Sequence, residues 1–157
     1  MRLKKTLITG VNGQDGSYLA EQLLEQSYEV FGLVRHKAVG DTNTNLKAIL
    51  NNPNFKLVDG DVTDAPNILS IINTIKPEEI YHLAAQSFVG ISWSNPQSTL
   101  NINVGGTLNV LEAAKRLQLD YGANPKIYLA CSSEMFGLVQ ETPQKETTPF
   151  YPRSPYG

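Results

Sequence analysis

The sequence contains little that would commit it to a disulfide framework, a membrane or a nucleic acid. Its 157 residues include a single cysteine, Cys131, so no internal disulfide can form. No apolar run approaches the roughly 18 residues that a transmembrane helix needs, and the first residues lack the apolar core of a signal peptide. The net charge is only −2, and no basic stripe is present. We therefore expect a cytoplasmic protein without a membrane or nucleic-acid partner.

Short, nearly continuous apolar runs alternate with segments of helical periodicity along the chain. The predicted strands cover residues 4–9, 29–34, 55–58, 79–83 and 126–131. The predicted helices cover residues 17–26, 44–51, 65–75 and 96–119, with Asp64 as the cap of the third, and residues 137–157 form an irregular loop. This alternation predicts one α/β domain over residues 1–157, a doubly wound, Rossmann-type parallel sheet of order 3-2-1-4-5 in three αβα layers. Such sheets bind ligands at the carboxyl ends of their strands.

Three glycines follow the first predicted strand with the spacing G-x-x-G-x-x-G. Gly10 permits a tight turn, Gly13 lets the backbone approach a pyrophosphate, and Gly16 allows the next helix to pack closely on the strand. The amino terminus of that helix offers N–H groups to an anion. Glycines alone could form an unrelated turn, but the strand before them and the amphipathic helix after them supply the required context. The predicted dinucleotide site contains Gly10, Asn12, Gly13, Gln14, Asp15 and Gly16.

The end of the second predicted strand indicates the type of nicotinamide cofactor. NAD sites usually carry an acidic residue there, whereas this strand ends at Arg35, which can pair bidentately with a 2′-phosphate. Lys37 could add charge, although His36 and Lys37 also fit a solvated loop. We therefore expect NADP rather than NAD. Residues that follow the third and fourth predicted strands are candidates for contacts with the adenine, ribose and diphosphate of the cofactor. They are Asp61, Val62, Leu83, Ala84, Ala85 and Ser87.

Several stretches of the sequence resemble the GDP-mannose 4,6-dehydratases, a family of extended short-chain dehydrogenases/reductases. The glycine turn and Leu83-Ala84-Ala85 are common to the whole superfamily. The pair Gln14-Asp15, the segment 132–137 and the Pro-rich segment 146–156 are narrower signals, and the resemblance covers the entire chain. It departs from the family at Ser98, where many relatives carry a tyrosine that contacts the cofactor.

The resemblance implies an NADP-dependent conversion of GDP-mannose to GDP-4-keto-6-deoxymannose, in nucleotide-sugar biosynthesis. By the same resemblance, Tyr156 is the base for the O4 proton, Glu134 takes the C5 proton, and Ser132 relays the O4 proton. The implied substrate contacts are Ser87, Ser133 and Glu134, with Gln86 as a lesser candidate. Purely structural roles are the alternative, since Ser132 could cap a strand end and Tyr156 could be a surface aromatic.

Other features carry no predicted chemistry or leave the function open. Metal-ligand spacing is absent, and we interpret His82, Trp93 and Cys131 as core or loop residues. The lysine of the family's Tyr-x-x-x-Lys motif would fall at position 160, after Gly157. The family's GDP-sugar domain would follow that lysine. We therefore expect this chain alone to be inactive and the full-length protein to be a homo-oligomer. A related reductase or epimerase, or a noncatalytic NADP-binding module, are the alternative functions.

Overall fold

The computed structural model describes residues 2–35 and 44–157, and its centre is a sheet of five parallel strands. The strands are β1 (Lys4–Thr9), β2 (Tyr28–Val34), β3 (Phe55–Asp59), β4 (Glu79–His82) and β5 (Lys126–Leu129). Their order across the sheet, β3-β2-β1-β4-β5, is the predicted one. The chain winds outward from β1 to β3 and then returns to place β4 on the other side of β1. The switch point of this doubly wound sheet therefore lies between β1 and β4.

Helices cover both faces of the sheet. They are α1 (Gln14–Glu25), α2 (Ala65–Ile75), α3 (Val89–Ser94), α4 (Pro96–Leu100) and α5 (Gly106–Tyr121). Successive side chains of a strand point to opposite faces, so the neighbours Leu7 and Ile8 belong to two different cores. Leu7 packs with residues of α2 and α5, such as Ile72, whereas Ile8 packs with Ala20 of α1. The predicted three αβα layers are confirmed.

The start of α2 shows how local sequence sets a helix boundary. Asp64 has an extended backbone, and its carboxylate accepts a hydrogen bond from the backbone N–H of Asn67 at 3.1 Å. Pro66 occupies the first turn, where a missing N–H costs nothing. The predicted cap and the predicted bounds of this helix are confirmed.

The predicted helix over residues 96–119 is present but is interrupted by one wide turn. The α4 helix runs into a π-helical turn, Asn101–Gly105, and this turn leads directly into α5. Gly122, with φ +67°, then ends α5 in a left-handed conformation that favours glycine. Wide turns of this kind often mark functional sites in helices, and this one carries Asn103 against the loop after β4.

Several predictions of local structure were wrong in extent, among them that of α1, which begins at Gln14 and not at residue 17. Residues 44–51 form a single 3-10 turn, Thr44–Leu46, followed by irregular turns that bury Leu46 and Ile49 in the core on the α1 side. This tertiary burial of two side chains does not need a full helix. Both β4 and β5 also end earlier than predicted, because the last pairs in their ladders are His82 with Thr9 and His82 with Leu129.

The segment after β5 is irregular, as predicted, apart from a short 3-10 turn, Ser133–Met135. Within this segment, residues 136–138 and residues 150–151 are held together by a backbone hydrogen bond and a contact between two aromatic rings. The N–H of Leu138 donates to the carbonyl of Tyr151 at 3.0 Å, and the rings of Phe136 and Phe150 meet edge to face at 5.0 Å. The segment therefore folds back on itself beside the end of β5.

Candidate functional site

A cleft of about 350 Å³ opens at the carboxyl ends of β1 to β4, at the predicted switch point. Its lining combines a glycine turn, the ends of β2 and β3, the loop after β4 and one residue of the π-helical turn. The lining residues are Gly10, Asn12, Gly13, Leu33, Arg35, Gly60, Asp61, Val62, Leu83, Ala84, Ala85, Gln86, Ser87 and Ile102.

Glycine is required at Gly10, in the turn between β1 and α1, and at Gly16, in the first turn of α1. Gly10 has φ +71°, and a Cβ added there would lie 2.9 Å from both N and Cα of Ala84. A Cβ on Gly16 would lie 2.5 Å from the carbonyl oxygen of Gly10. The turn is closed by a hydrogen bond from the N–H of Gly13 to that same carbonyl, at 3.0 Å. The tight turn predicted at Gly10 and the close packing predicted for Gly16 are confirmed. The contact of Gly10 with Ala84 brings the turn after β1 against the loop after β4.

The predicted phosphate-binding residues form two groups, one that lines the cleft and one in the first turn of α1 that does not. Gly10, Asn12 and Gly13 line the cleft. Gln14 and Asp15 are exposed in the first turn of α1, and Gly16 is buried behind it. These last three do not belong to the cleft lining, so a cofactor contact through their backbone stays a prediction.

Arg35 and Asp61 stand at the ends of β2 and β3 and contribute opposite charges to the cleft. Burial alone would raise the pKa of Asp61, but hydrogen bonds to its carboxylate from Thr63 and the nearby positive charge of Arg35 outweigh burial and lower it. The Thr63 N–H and hydroxyl donate to Asp61 Oδ1 at 2.9 and 2.8 Å. Asp61 is therefore held as a carboxylate. Lys37, the other predicted cation, lies outside the described residues.

A second wall of the cleft, in contact with the glycine turn, is the loop formed by residues 83–87. Its first residues are held by Thr9, whose hydroxyl oxygen accepts from the N–H of Leu83 at 3.2 Å and of Ala84 at 3.1 Å. Its far end is held by the side-chain amide of Asn103, which accepts from the N–H of Gln86 at 2.8 Å and donates to the carbonyl of Gln86 at 3.2 Å. The loop is therefore clamped at both ends by side chains from other elements.

The predicted catalytic residues lie at the same edge of the sheet, but they are not among the residues that line the cleft. Ser132 follows β5, and its hydroxyl oxygen accepts from the N–H of Glu134 at 3.2 Å. The segment of Tyr156 packs against this turn, since a Cβ added to Gly157 would lie 2.5 Å from the carbonyl oxygen of Glu134. Ser132, Glu134 and Tyr156 are half-buried, whereas Ser133 is exposed. The structure thus brings these two segments together, and their catalytic roles stay predictions.

Sequence reasoning missed three residues of the lining: Leu33, Gly60 and Ile102. Gly60 follows β3 directly and could have been found from its position at a strand end. Ile102 carried no such signal, because it lies inside a long helix and reaches the cleft only through the packing of the π-helical turn. The interpretation of His82 as a buried residue is confirmed, and Trp93 and Cys131 are exposed.

None of the helices within residues 2–35 and 44–157 has both the length and the apolar character of a membrane span. The same residues hold no group of three or more histidine, cysteine, aspartate or glutamate side chains that could bind a metal ion.

The fold is similar to those of several solved structures, among them an epimerase and an enzyme with bound NAD+. The UDP-Glc/GlcNAc 4-epimerase of Campylobacter jejuni superposes with a TM-score of 0.84 at 27% identity, over 98% of this chain and 45% of that one. The enzyme WbmH of Bordetella bronchiseptica, solved in complex with NAD+, superposes with a TM-score of 0.78 at 28% identity, over 99% of this chain and 49% of that one.

Comparison with characterised sequences is more specific. GDP-mannose 4,6-dehydratase of Vibrio cholerae is 50% identical over 157 residues, which is 98% of this chain and 42% of that protein. The chain thus spans less than half the length of the relatives that it matches. The sequence profile of GDP-mannose 4,6 dehydratase matches residues 7–157, and on that match this chain belongs to the GDP-mannose 4,6-dehydratase family.

Proposed function

We propose that the full-length protein carrying this chain is an NADP-dependent GDP-mannose 4,6-dehydratase and that the chain supplies its dinucleotide site. The observation that carries the proposal is the cleft at the β1/β4 switch point, bounded by the glycine turn, by Arg35 and by the loop after β4. Membership of the dehydratase family supplies the substrate and the reaction.

The residues of the cleft fit a dinucleotide. The glycine turn keeps side chains away from the start of α1, where backbone N–H groups and the helix dipole favour a diphosphate. Val62 offers an apolar contact and Asp61 a carboxylate acceptor for adenine. Arg35 is suited to a 2′-phosphate, which favours NADP over NAD, although the similar Bordetella enzyme was solved with NAD+. A nicotinamide bound here would supply the chemistry of accepting a hydride and returning it.

The remaining chemistry needs two proton-transfer groups. Tyr156 is proposed as the base that removes the O4 proton of the sugar, with Ser132 relaying it. Glu134 is proposed to take the C5 proton, which becomes acidic once C4 is a ketone, and to assist departure of the C6 hydroxyl as water. The half-buried positions of all three, and the packing of residue 157 on the carbonyl of Glu134, support a shared pocket. The loss of water makes the proposed enzyme a hydro-lyase.

The long helix formed by α4, the π-helical turn and α5 has exposed apolar side chains. They support the proposal that the full-length protein forms a homo-oligomer. Leu100, Val104, Leu108 and Leu111 recur at intervals of three or four residues, and all four are exposed. This spacing puts them on one face of the helix. Contiguous exposed apolar patches commonly mark protein–protein interfaces.

A cytoplasmic location, also proposed, agrees with the single cysteine of the chain.

A related epimerase is the second candidate, because the superposed Campylobacter structure is a 4-epimerase. An epimerase has no elimination step, so Glu134→Gln separates the two functions. We expect this variant of the full-length protein to lose release of water from GDP-mannose by a factor of roughly a hundred or more, as removal of a proton-transfer group implies.

The direct test incubates the full-length gene product with GDP-mannose and NADP and follows the 4-keto-6-deoxy product by mass spectrometry. Formation of a product lighter by one water supports the dehydratase. An isomer of unchanged mass would support the epimerase instead, and binding of NADPH without turnover would support a noncatalytic module. Glu25→Gln, the same change at an exposed glutamate at the end of α1, serves as the comparison variant for the elimination step.

A further inference from the structure

His82 ends β4, and its buried imidazole joins three elements of the fold. Its Nδ1 lies 2.8 Å from the hydroxyl oxygen of Thr9 in β1, and its Nε2 lies 3.1 Å from that of Thr107 in α5. Thr9 and Leu129, its neighbours in the sheet, are uncharged, as is Thr107. The ring is therefore held by neutral hydrogen bonds rather than by an ion pair.

The other hydrogen bonds of Thr9 decide which ring nitrogen carries the proton. Its hydroxyl oxygen already accepts from two backbone N–H groups, those of Leu83 and Ala84, which uses both lone pairs. The hydroxyl proton is left to donate to His82 Nδ1, so that nitrogen must accept. The ring proton then sits on Nε2 and is donated to Thr107, whose hydroxyl donates to the carbonyl of Asn103 at 2.6 Å. The donors and acceptors in this series of hydrogen bonds, from Thr9 through His82 and Thr107 to Asn103, are therefore mutually consistent.

This series of hydrogen bonds ends at the wall of the cleft, on the backbone of Leu83 and Ala84. The N–H of Leu83 is shared between the carbonyl and the hydroxyl oxygen of Thr9, whereas for Ala84 the hydroxyl oxygen at 3.1 Å is the acceptor. Both residues line the cleft, and Gly10, which also lines it, packs against Ala84. The direction of the Thr9 hydroxyl therefore bears on the shape of the cleft, and His82 sets that direction.

We infer that His82 is a positioning residue of the dinucleotide site: by orienting the Thr9 hydroxyl, it holds the Leu83–Ala84 backbone in the conformation that bounds the cleft. His82 does not itself line the cleft, so it acts through Thr9 and not by touching a ligand. The inference rests on the proposed dinucleotide function for its effect on binding, although its effect on the backbone does not.

The test measures NADPH binding by fluorescence titration in the full-length gene product. His82→Phe keeps the bulk of the ring but removes its hydrogen bonds, and we expect it to raise the Kd of NADPH by about tenfold. His82→Asn keeps an acceptor near the position of Nδ1, so it should stay within about threefold of the wild type. The same holds for Thr107→Val, which removes the bonds of Thr107 to His82 and to the Asn103 carbonyl but leaves the bond between His82 and Thr9 in place.

Non-additivity distinguishes positioning from a general loss of packing. If His82 acts through Thr9, Thr9→Val alone should raise the Kd about tenfold, and adding His82→Phe to it should raise the Kd no further. Independent losses that multiply in the double variant would contradict the proposal. Should His82→Phe not fold, Thr9→Val and Thr9→Ser carry the test, because serine keeps the hydroxyl. Equal Kd values for these two variants would overturn the inference.

Hydrogen exchange of the ligand-free protein gives a readout that does not depend on the proposed function. In His82→Phe, the amide of Ala84 should exchange faster, while amides inside the sheet, such as those of Val30 and Ile80, keep their protection. Wild-type protein that binds neither NADPH nor NADH would refute the proposed function and leave this exchange result to decide the role of His82. Unchanged exchange at Ala84 would refute that role.

Discussion

The α-carbon of Gly10 packs directly against the backbone of Ala84, so that a Cβ on Gly10 would lie 2.9 Å from Ala84 N. Gly10 also has φ +71°, a conformation that side chains with a Cβ rarely adopt. The contact joins the turn after β1 to the loop after β4, and residues of both segments line the cleft.

Gly10→Ala should therefore weaken both the fold and the binding of a dinucleotide. We expect a loss of about 1–3 kcal/mol in the free energy of unfolding, from backbone strain together with the clash. Binding of NADPH should weaken as well, because relief of the clash must displace Ala84. Urea denaturation and a fluorescence titration measure the two effects.

Gly105→Ala is the matched control for this change. Gly105 has φ −62°, and nothing lies within 4 Å of a Cβ added there. Alanine in a helical conformation is favoured over glycine by about 0.5–1 kcal/mol, so this variant should be slightly more stable than the wild type. Equal destabilisation by the two substitutions would show that the Gly10 contact has no special role.

Arg35→Ala should change the preference between the two nicotinamide cofactors. A charge-assisted hydrogen bond to a 2′-phosphate contributes about 1.5–3 kcal/mol, so the Kd of NADPH should rise by roughly tenfold or more while that of NADH stays nearly constant. Lys115→Ala, which removes an exposed cation of α5 that pairs with Glu112 at 3.7 Å, is the control. Equal weakening of NADPH and NADH by Arg35→Ala would argue against a 2′-phosphate contact.

Burial of His82 predicts a dependence of stability on pH. Burial lowers the pKa of His82 from its ordinary value of 6.5, so the unfolded chain binds a proton at a pH where the folded chain does not. The free energy of unfolding should consequently fall as the pH drops below 6.5 towards the folded-state pKa, and this contribution should be constant above 6.5. Urea denaturation between pH 5 and pH 8 measures it.

His82→Asn is the reference protein for that measurement, because asparagine does not titrate. The carboxyls of Asp61 and Glu79 also have lowered pKa values, but their ordinary values of 3.8 and 4.5 place their effect in a more acidic range. The other histidine is present in both proteins, so its contribution cancels. Parallel pH profiles of the two proteins would exclude a buried, neutral His82.

Asp64→Ala should destabilise the fold by about 1 kcal/mol, since it removes the side-chain acceptor for the N–H of Asn67 at the start of α2. Asp64→Asn keeps that acceptor without the charge and should retain most of the stability. Thermal denaturation compares the three proteins. A loss as large for asparagine as for alanine would assign the effect to the charge rather than to the cap.

Most of the fold followed from local patterns. The apolar runs of β1 to β5, the stripe of α2 with its Asp64 cap, and the rule of right-handed crossovers together predicted the sheet order that is observed. The interpretation of residues 44–51 as a helix was wrong because burial of Leu46 and Ile49 decided their conformation. The wide turn at residues 101–105 had no local signal either.

The amino-acid sequence alone determined where the chain turns tightly and which charge follows β2, because glycine spacing and the identity of Arg35 are properties of short segments. Only the tertiary structure decided that Thr9, His82 and Thr107 form one hydrogen-bonded chain and that Ile102 reaches the cleft. These residues lie on β1, β4 and the long helix, far apart in sequence. Their contacts exist because sheet pairing and helix packing bring those elements together, and no periodicity within a single segment encodes such a meeting.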